Sequence, residues 1–278
     1  MNDKDFRNDD ADVNDERSRL LAEIDGIRSR ITETIFRTEE VSRQIIPGIK
    51  ADFWMKIGVW RVRLVKADLA ARRAKRRYAL AQSFVNRGRS VDGQLIEKRL
   101  DDELAAWRER VRVESGKLNT WLSWRSSTVT LGESSTKELK RLFRRLARRC
   151  HPDLHPGDER RAEYYAMAQH ALVSGDLDMM KALDVATADM TDDVGLDRLS
   201  TEELRFEIDM LEDRLRSVKH RLEVLTSTEP YTLGDRLSDV EWVTGQVNML
   251  RDRIDAHEAS RRYYDERYEE LMKGADHD

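Results

Sequence analysis

Apolar residues recur along this chain at alternating spacings of three and four, with charged residues between them. Leu20, Ile24, Ile27, Ile31, Thr34, Thr38, Val41 and Ile45 keep that period, which lays one stripe along a helix. Phe53, Ile57, Trp60, Leu64, Ala67, Ala71, Ala74, Tyr78, Ala81 and Val85 repeat it, and Pro47-Gly48 lies between the two runs. A Pro-Gly pair between two apolar seams predicts an antiparallel helical hairpin. A third helix is expected after NRGRSVDG (86–93), carrying Ile96, Leu100, Leu104, Trp107, Val111 and Leu118. It fades near Trp121 and Trp124 into the loop-like SSTVTLGESS.

Heptads return with Leu204, Ile208, Leu211, Leu215, Val218, Leu222 and Leu225, break at 229–239, and resume with Val240, Val243, Val247, Leu250 and Ile254. This predicts a second antiparallel hairpin, of helices 200–226 and 237–272, with His257 and Arg261 opposite Glu207 and Glu203. Tyr264, Tyr268 and Leu271 then overhang, and should pack on the central or N-terminal region or on a second subunit. No strand-like alternation longer than a few residues occurs, so the expected fold class is all-α. Four parts are expected: an acidic disordered tail at 1–14, a long-helix region at 15–125, a helix–loop–helix segment at 131–188, and a coiled-coil hairpin at 198–274.

Composition narrows the class further. The 278 residues suit about two domains, and their charged fraction of 37% is well above the ~25% of an ordinary globular chain. A single cysteine, Cys150, excludes an internal disulfide framework and a multi-cysteine zinc cage. No run of apolar residues is long enough to span a bilayer, and the acidic start is the reverse of a signal peptide. A soluble cytoplasmic protein is the expectation. The net charge is only −4, yet it is unevenly spread: residues 189–278 hold twenty-four Asp+Glu against thirteen Lys+Arg, while 56–77 hold nine Lys/Arg and one Asp.

The central segment carries the candidate chemistry. Leu139, Leu142, Phe143, Leu146 and Cys150 fall on one face of a helix. Lys137, Arg141, Arg144, Arg145 and Arg148 fall on the opposite face, with Lys140 and Arg149 at the flanks. His151-Pro152-Asp153 follows, and proline pushes the residue before it out of the α region, so the helix ends near His151. Asp158 can cap a second helix, which offers Ala162, Tyr165, Ala168, Ala171 and Leu172 to the first. His151 and Asp153 are thereby expected on an exposed tip.

This segment resembles the J-domain of DnaJ-type co-chaperones. The resemblance rests on His151-Pro152-Asp153, the basic amphipathic helix before it and the helix after it. Phe143, Leu146-Ala147 and Ala171 stand where the family pattern has an aromatic residue, Leu-Ala and Ala. The Tyr-x-x-Leu-Gly of the family's first helix is reduced here to Leu131-Gly132, and the packing role of that helix falls to the region around Trp121 and Trp124. Gly/Phe-rich and CxxC zinc repeats are absent, and the C-terminal pattern is similar to bacterial J-domain proteins with coiled-coil tails. The resemblance implies docking on a DnaK-type chaperone and stimulation of its ATP hydrolysis. His151, Pro152 and Asp153 would meet the ATPase, with Asp153 facing an arginine of that partner. Lys137, Arg141, Arg144, Arg145 and Arg148 would face an acidic surface on it, and the coiled coils would serve as arms for a client or partner protein. No catalytic residue, metal ligand or cofactor of the chain's own is implied.

Two other readings compete. An interaction scaffold with a degenerate central segment needs only the coiled coils. Residues 56–77, with Trp54 and Trp60 nearby, could serve nucleic acid or an anionic membrane surface, although a cationic helix facing the acidic C-terminal hairpin or water is preferred. Cys150, His151 and His155 lack a fourth ligand at zinc-like spacing, and Cys150 falls on the apolar phase, so it is read as a small buried hydrophobe.

Overall fold

The computed structural model describes the backbone of residues 3–127, 132–190 and 195–275, and the side chains of 15–125, 132–190 and 195–274. Every regular element among them is helical, as the 3.5-residue period requires. None of the described helices is long and apolar enough to cross a membrane.

The expected turn at Pro47-Gly48 does not form. Helix α1 (Asp3–Glu40) passes through a π-turn at Val41–Ile45 into α2 (Ile46–Phe53). In that turn the Ile46 N–H bonds the Val41 carbonyl, five residues back. The ladder is thus already shifted where proline, lacking an N–H, enters the first turn of α2, and the helix absorbs it. The backbone of α1 is helical from Asp3, within the stretch expected as an acidic tail.

A second π-turn at Trp54–Gly58 leads into α3 (Val59–Val85). The true hairpin turn follows at 86–92, where Asp92 caps α4 (Gly93–Glu103) by accepting from the Leu95 N–H at 3.0 Å. Leu104, at φ −101° and ψ 12°, separates α4 from α5 (Ala105–Ser127), so the single third helix expected is two. Both run antiparallel to α3: Arg73 pairs with Asp101 at 2.8 Å and Arg61 meets Glu114 at 3.9 Å.

The remaining helices are α6 (Glu133–Cys150), α7 (Glu159–Ser174), α8 (Leu177–Ala186), α9 (Thr201–Ser227), α10 (Leu233–Ser238) and α11 (Val240–Ala275). Ser200 starts α9 with a capping box, its hydroxyl accepting from the Glu203 N–H while Glu203 reaches back to the Ser200 N–H. Residues 128–131, part of the expected loop, lie outside the described residues.

The chain divides into two compact units, residues 1–47 with 128–232 and residues 48–127 with 233–278. In the first, α9 packs on α1. The two run parallel: Arg17 reaches the Leu196 carbonyl ahead of α9 at 3.0 Å, and Arg28 meets Glu207 at 3.5 Å. In the second, α11 packs on α3, also parallel, with His257 Nδ1 3.9 Å from Asp68 and Tyr264 stacked obliquely on Tyr78 at 6.1 Å.

Where the sequence predicts α9 and α11 as partners, α9 packs on α1 in the first unit and α11 on α3 in the second; His257 lies by Asp68, and Arg261 pairs with Asp265 at 3.2 Å. A heptad seam records that a helix has a partner but not which helix it is. The overhang of Tyr268 and Leu271 lies on the cluster of Leu80, Ala81, Ile96, Leu100 and Leu104, within the N-terminal region as one of the expected placements. Charge supports the pairing, since α3 is the basic helix and α11 is acidic, but α4 shares the neutralisation. Arg76, hydrogen-bonded to Glu103 with Arg99 beside it, holds the Glu103 carboxyl down to about 2.

Gly58 is sterically required. A Cβ there would come within 2.3 Å of the ring of Trp54, itself buried, where the π-turn carries the backbone under the indole. Alanine is the better helix former by ~1 kcal/mol, but overpacking a rigid buried ring costs typically ~1–3 kcal/mol. Gly58→Ala should therefore destabilise the protein in urea denaturation; a gain in stability would show that the indole moves aside freely.

Candidate functional site

Helix α6 buries Leu139, Leu142, Phe143, Leu146, Ala147 and Cys150, the face the sequence predicts with Ala147 added. Opposite it stand Tyr165, Ala168, Ala171 and Leu172 of α7 and Met180 and Leu183 of α8. Cys150 is fully buried, its sulfur 4.0 Å from that of Met190. The remaining side of the cluster is closed by Ile24, Ile27, Ile31, Ile35 and Phe36 of α1 and by Leu204, Leu211 and Leu215 of α9. Trp121 and Trp124 do not take that packing role. They face each other at 6.2 Å on α5 in the second unit, with the Lys50 ammonium over Trp121.

The loop between α6 and α7 is tied to itself. His151 leaves the helix at ψ 133°, the extended conformation that a following proline imposes. Its carbonyl accepts from the N–H groups of Leu154 and His155, both at 2.9 Å, and His155 Nε2 lies 2.9 Å from the Arg148 carbonyl. Gly157 turns at φ +82°, a left-handed position that favours glycine. Asp158 then caps α7 through the Arg161 N–H at 3.0 Å, and the Arg161 guanidinium reaches back to the Arg149 carbonyl.

His151 is not on an exposed tip. It is 6% exposed, its ring edge-on to Tyr165 at 4.5 Å. The Asp153 N–H donates to its Nδ1 at 2.9 Å, so the neutral ring carries its proton on Nε2. Burial pushes its pKa down to about 4, against a smaller upward pull from Asp153. The Asp153 side chain is 31% exposed, and Arg221 of α9 donates to its Oδ2 at 3.3 Å. Pro152 is exposed between them. An exposed turn is what a two-helix hairpin alone would give; α9 lying alongside makes the difference.

The cationic front is divided among neighbours rather than solvated as one face. Arg144 makes a bidentate pair with Glu33 at 2.7 and 3.2 Å and stacks on Phe36 at 3.7 Å. Arg148 meets Asp25 and Ser29, and Lys140 meets Glu40 at 2.6 Å. On the other flank Asp184 of α8 takes Arg145 at 2.7 Å and Arg149 at 2.9 Å. Lys137 is exposed and, among the described residues, pairs with Glu133 of its own helix at 2.7 Å. Arg141 is exposed, with no ion pair among the described residues.

Sequence reasoning missed Glu33, Asp25, Asp184 and Arg221 as partners of this segment. A signal existed for the first two: Asp25, Ser29, Glu33 and Glu40 recur at helical spacing on α1, a polar stripe matching Arg148, Arg144 and Lys140. Nothing local marks Arg221. In the basic run 56–77, Arg72, Arg73, Arg76 and Arg77 each face a carboxylate, and Arg63 covers the ring of Trp60 at 4.6 Å. Comparison with protein-family models, curated proteins and solved structures finds no match for the chain.

Because the His151 pKa lies below its unfolded value near 6.5, the unfolded chain binds the extra proton first as pH falls. Stability should be full above pH ~6.5 and decline between there and about 4, by on the order of 3 kcal/mol at most. Denaturation midpoints at pH 7 and pH 5 test this against His151→Gln, which should flatten the difference. An unchanged dependence would place the acid sensitivity elsewhere.

Proposed function

We propose that this protein is a J-domain-like co-chaperone that docks on a DnaK-type chaperone through the α6–α7 loop and stimulates its ATP hydrolysis. The observation that carries the reading is the loop itself: His-Pro-Asp at the end of a basic amphipathic helix, closed by a capped second helix packed along its apolar face. The protein supplies no chemistry of its own. It acts by binding the hydrolysis-competent state of a partner more tightly than the other state, as any coupling between sites requires. Asp153 supplies the carboxylate for an arginine of the ATPase, and Arg221 now occupies the place that such an arginine would take. Pro152, Lys137 and Arg141 are the residues of this surface open to solvent without rearrangement.

The engaged state of Arg144, Arg145 and Arg148 favours a second reading, a non-catalytic interaction scaffold in which these cations hold α1 and α8 instead of a partner. The two part in a steady-state ATPase assay with a DnaK-type chaperone. Under the first reading the full chain raises turnover, Asp153→Asn abolishes the effect with the melting curve unchanged, and Arg221→Ala raises it several-fold. Absence of stimulation by the wild type and Arg221→Ala alike selects the scaffold. His151→Gln is the poorer probe, since a buried ring also supports the fold.

A further inference from the structure

The second unit contains a cleft that the α6–α7 loop does not involve. Helices α5 and α11 both pack on α3 and leave between them an opening of about 490 Å³. Ile57 and Leu64, both buried, form its floor, and Trp242, Met249 and Leu250 of α11 line one wall. Met249 is 54% exposed, which is unusual for a thioether placed beside so much apolar surface. The lining runs from residues 53 to 65 on one side and 242 to 253 on another, about 17 Å at 1.5 Å per residue, or three helical turns.

The rim is cationic. Arg110 and Arg253 make no ion pair among the described residues, unlike Arg73, Arg76 and Arg77 farther along α3, whose charges are met by α4. Arg61 comes only to 3.9 Å of Glu114. Glu114 lends its Oε1 to Lys117 at 2.8 Å, while its Oε2, the oxygen that faces Arg61, is buried with no hydrogen-bond partner. An acceptor in that state is costly unless a donor arrives.

We propose that this cleft is the docking site for an amphipathic helix of a partner protein, about three turns long and acidic along the edges of its apolar stripe. Three features of the cleft select this occupant. The trough lies between two helices over a third, the geometry that receives an apolar stripe at i, i+3, i+4 and i+7. The unmatched guanidiniums of Arg110 and Arg253 favour carboxylates at the edges and disfavour a basic helix. The bare oxygen of Glu114 takes one donor, such as a hydroxyl, amide or indole N–H of the incoming helix. This surface is separate from the J-like reading and stands if that reading fails.

The test uses fluorescence polarisation of the full chain with two labelled synthetic peptides. Each carries Leu and one Trp at i, i+3, i+4 and i+7 over about four turns, one with Glu and its twin with Lys at the flanking positions. The acidic peptide should bind at least tenfold more tightly than the basic twin. Met249→Asp and the double change Arg110→Glu with Arg253→Glu, all at exposed positions and checked by melting, should each weaken it at least tenfold. Equal binding of the twins overturns the proposal, as does wild-type affinity in either variant. So does concentration-dependent dimerisation in sedimentation that Met249→Asp abolishes, because the cleft then belongs to a second copy of this chain.

Discussion

The first unit condenses on the isoleucine stripe of α1. Ile24, Ile27, Ile31 and Ile35, with Phe36, share one buried cluster with the apolar faces of α6, α7, α8 and α9. Burying five such side chains is worth ~1.5–3 kcal/mol each. The half-exposed ion pairs beside them, Arg144 with Glu33 and Arg148 with Asp25, contribute ~0.2–1 kcal/mol each. Apolar contact therefore holds α6 on α1, and the ion pairs fix where along α1 it sits. Removing the pairs should leave the helices associated, whereas removing the isoleucines would not.

That placement decides the state of the His-Pro-Asp loop. With α1 and α9 parallel and in contact, α9 passes the end of α6 and brings Arg221 to Asp153. His151 then lies in an environment too dry for its charged form, edge-on to Tyr165 and bonded by the Asp153 N–H. The contacts cooperate. Protonating Nδ1 would remove the acceptor for that N–H and put a positive charge in a poorly hydrated place. The loop conformation is thus linked both to the protonation of one ring and to one arginine on α9.

Much of this fold is legible in the sequence, and what escapes does so for a common reason. The stripes of α3 and α9, those of α1 up to Ile31 and of α11 from Val243, the apolar face of α6 from Leu139 to Cys150, and the Asp158 cap follow from local spacing and chemistry. Past Ile31 the buried face of α1 moves from the expected Thr34 and Thr38 to Ile35 and Phe36. Pairing does not, because Leu204 to Leu225 can close against any helix of the same period. Pro47-Gly48 misleads because a shift of one hydrogen bond at Val41 and Ile46 removes the cost that makes proline a stop signal. The candidate site is legible in its residues but not in its exposure. His151 and the arginines of α6 owe their burial and their partners to α1, α8 and α9, which lie up to more than a hundred residues away.

The charges of the two units illustrate one principle from opposite directions. On α6 the basic residues meet carboxylates on α1 and α8, so a surface cationic in sequence is largely neutral in the fold. On α3 the carboxylates of α4 neutralise Arg73, Arg76 and Arg77, but Arg110 and Arg253 at the cleft make no ion pair among the described residues, next to exposed Met249 and half-buried Trp242. Net charge per segment is therefore a poor guide to where a partner binds. What counts is the charge remaining after the chain has paired its own, together with apolar surface close enough to add contact area. On α6 that remainder is Arg141, since Lys137 pairs with Glu133 of its own helix. In the cleft the remainder and the apolar surface coincide, and an incoming helix there gains both from one geometry.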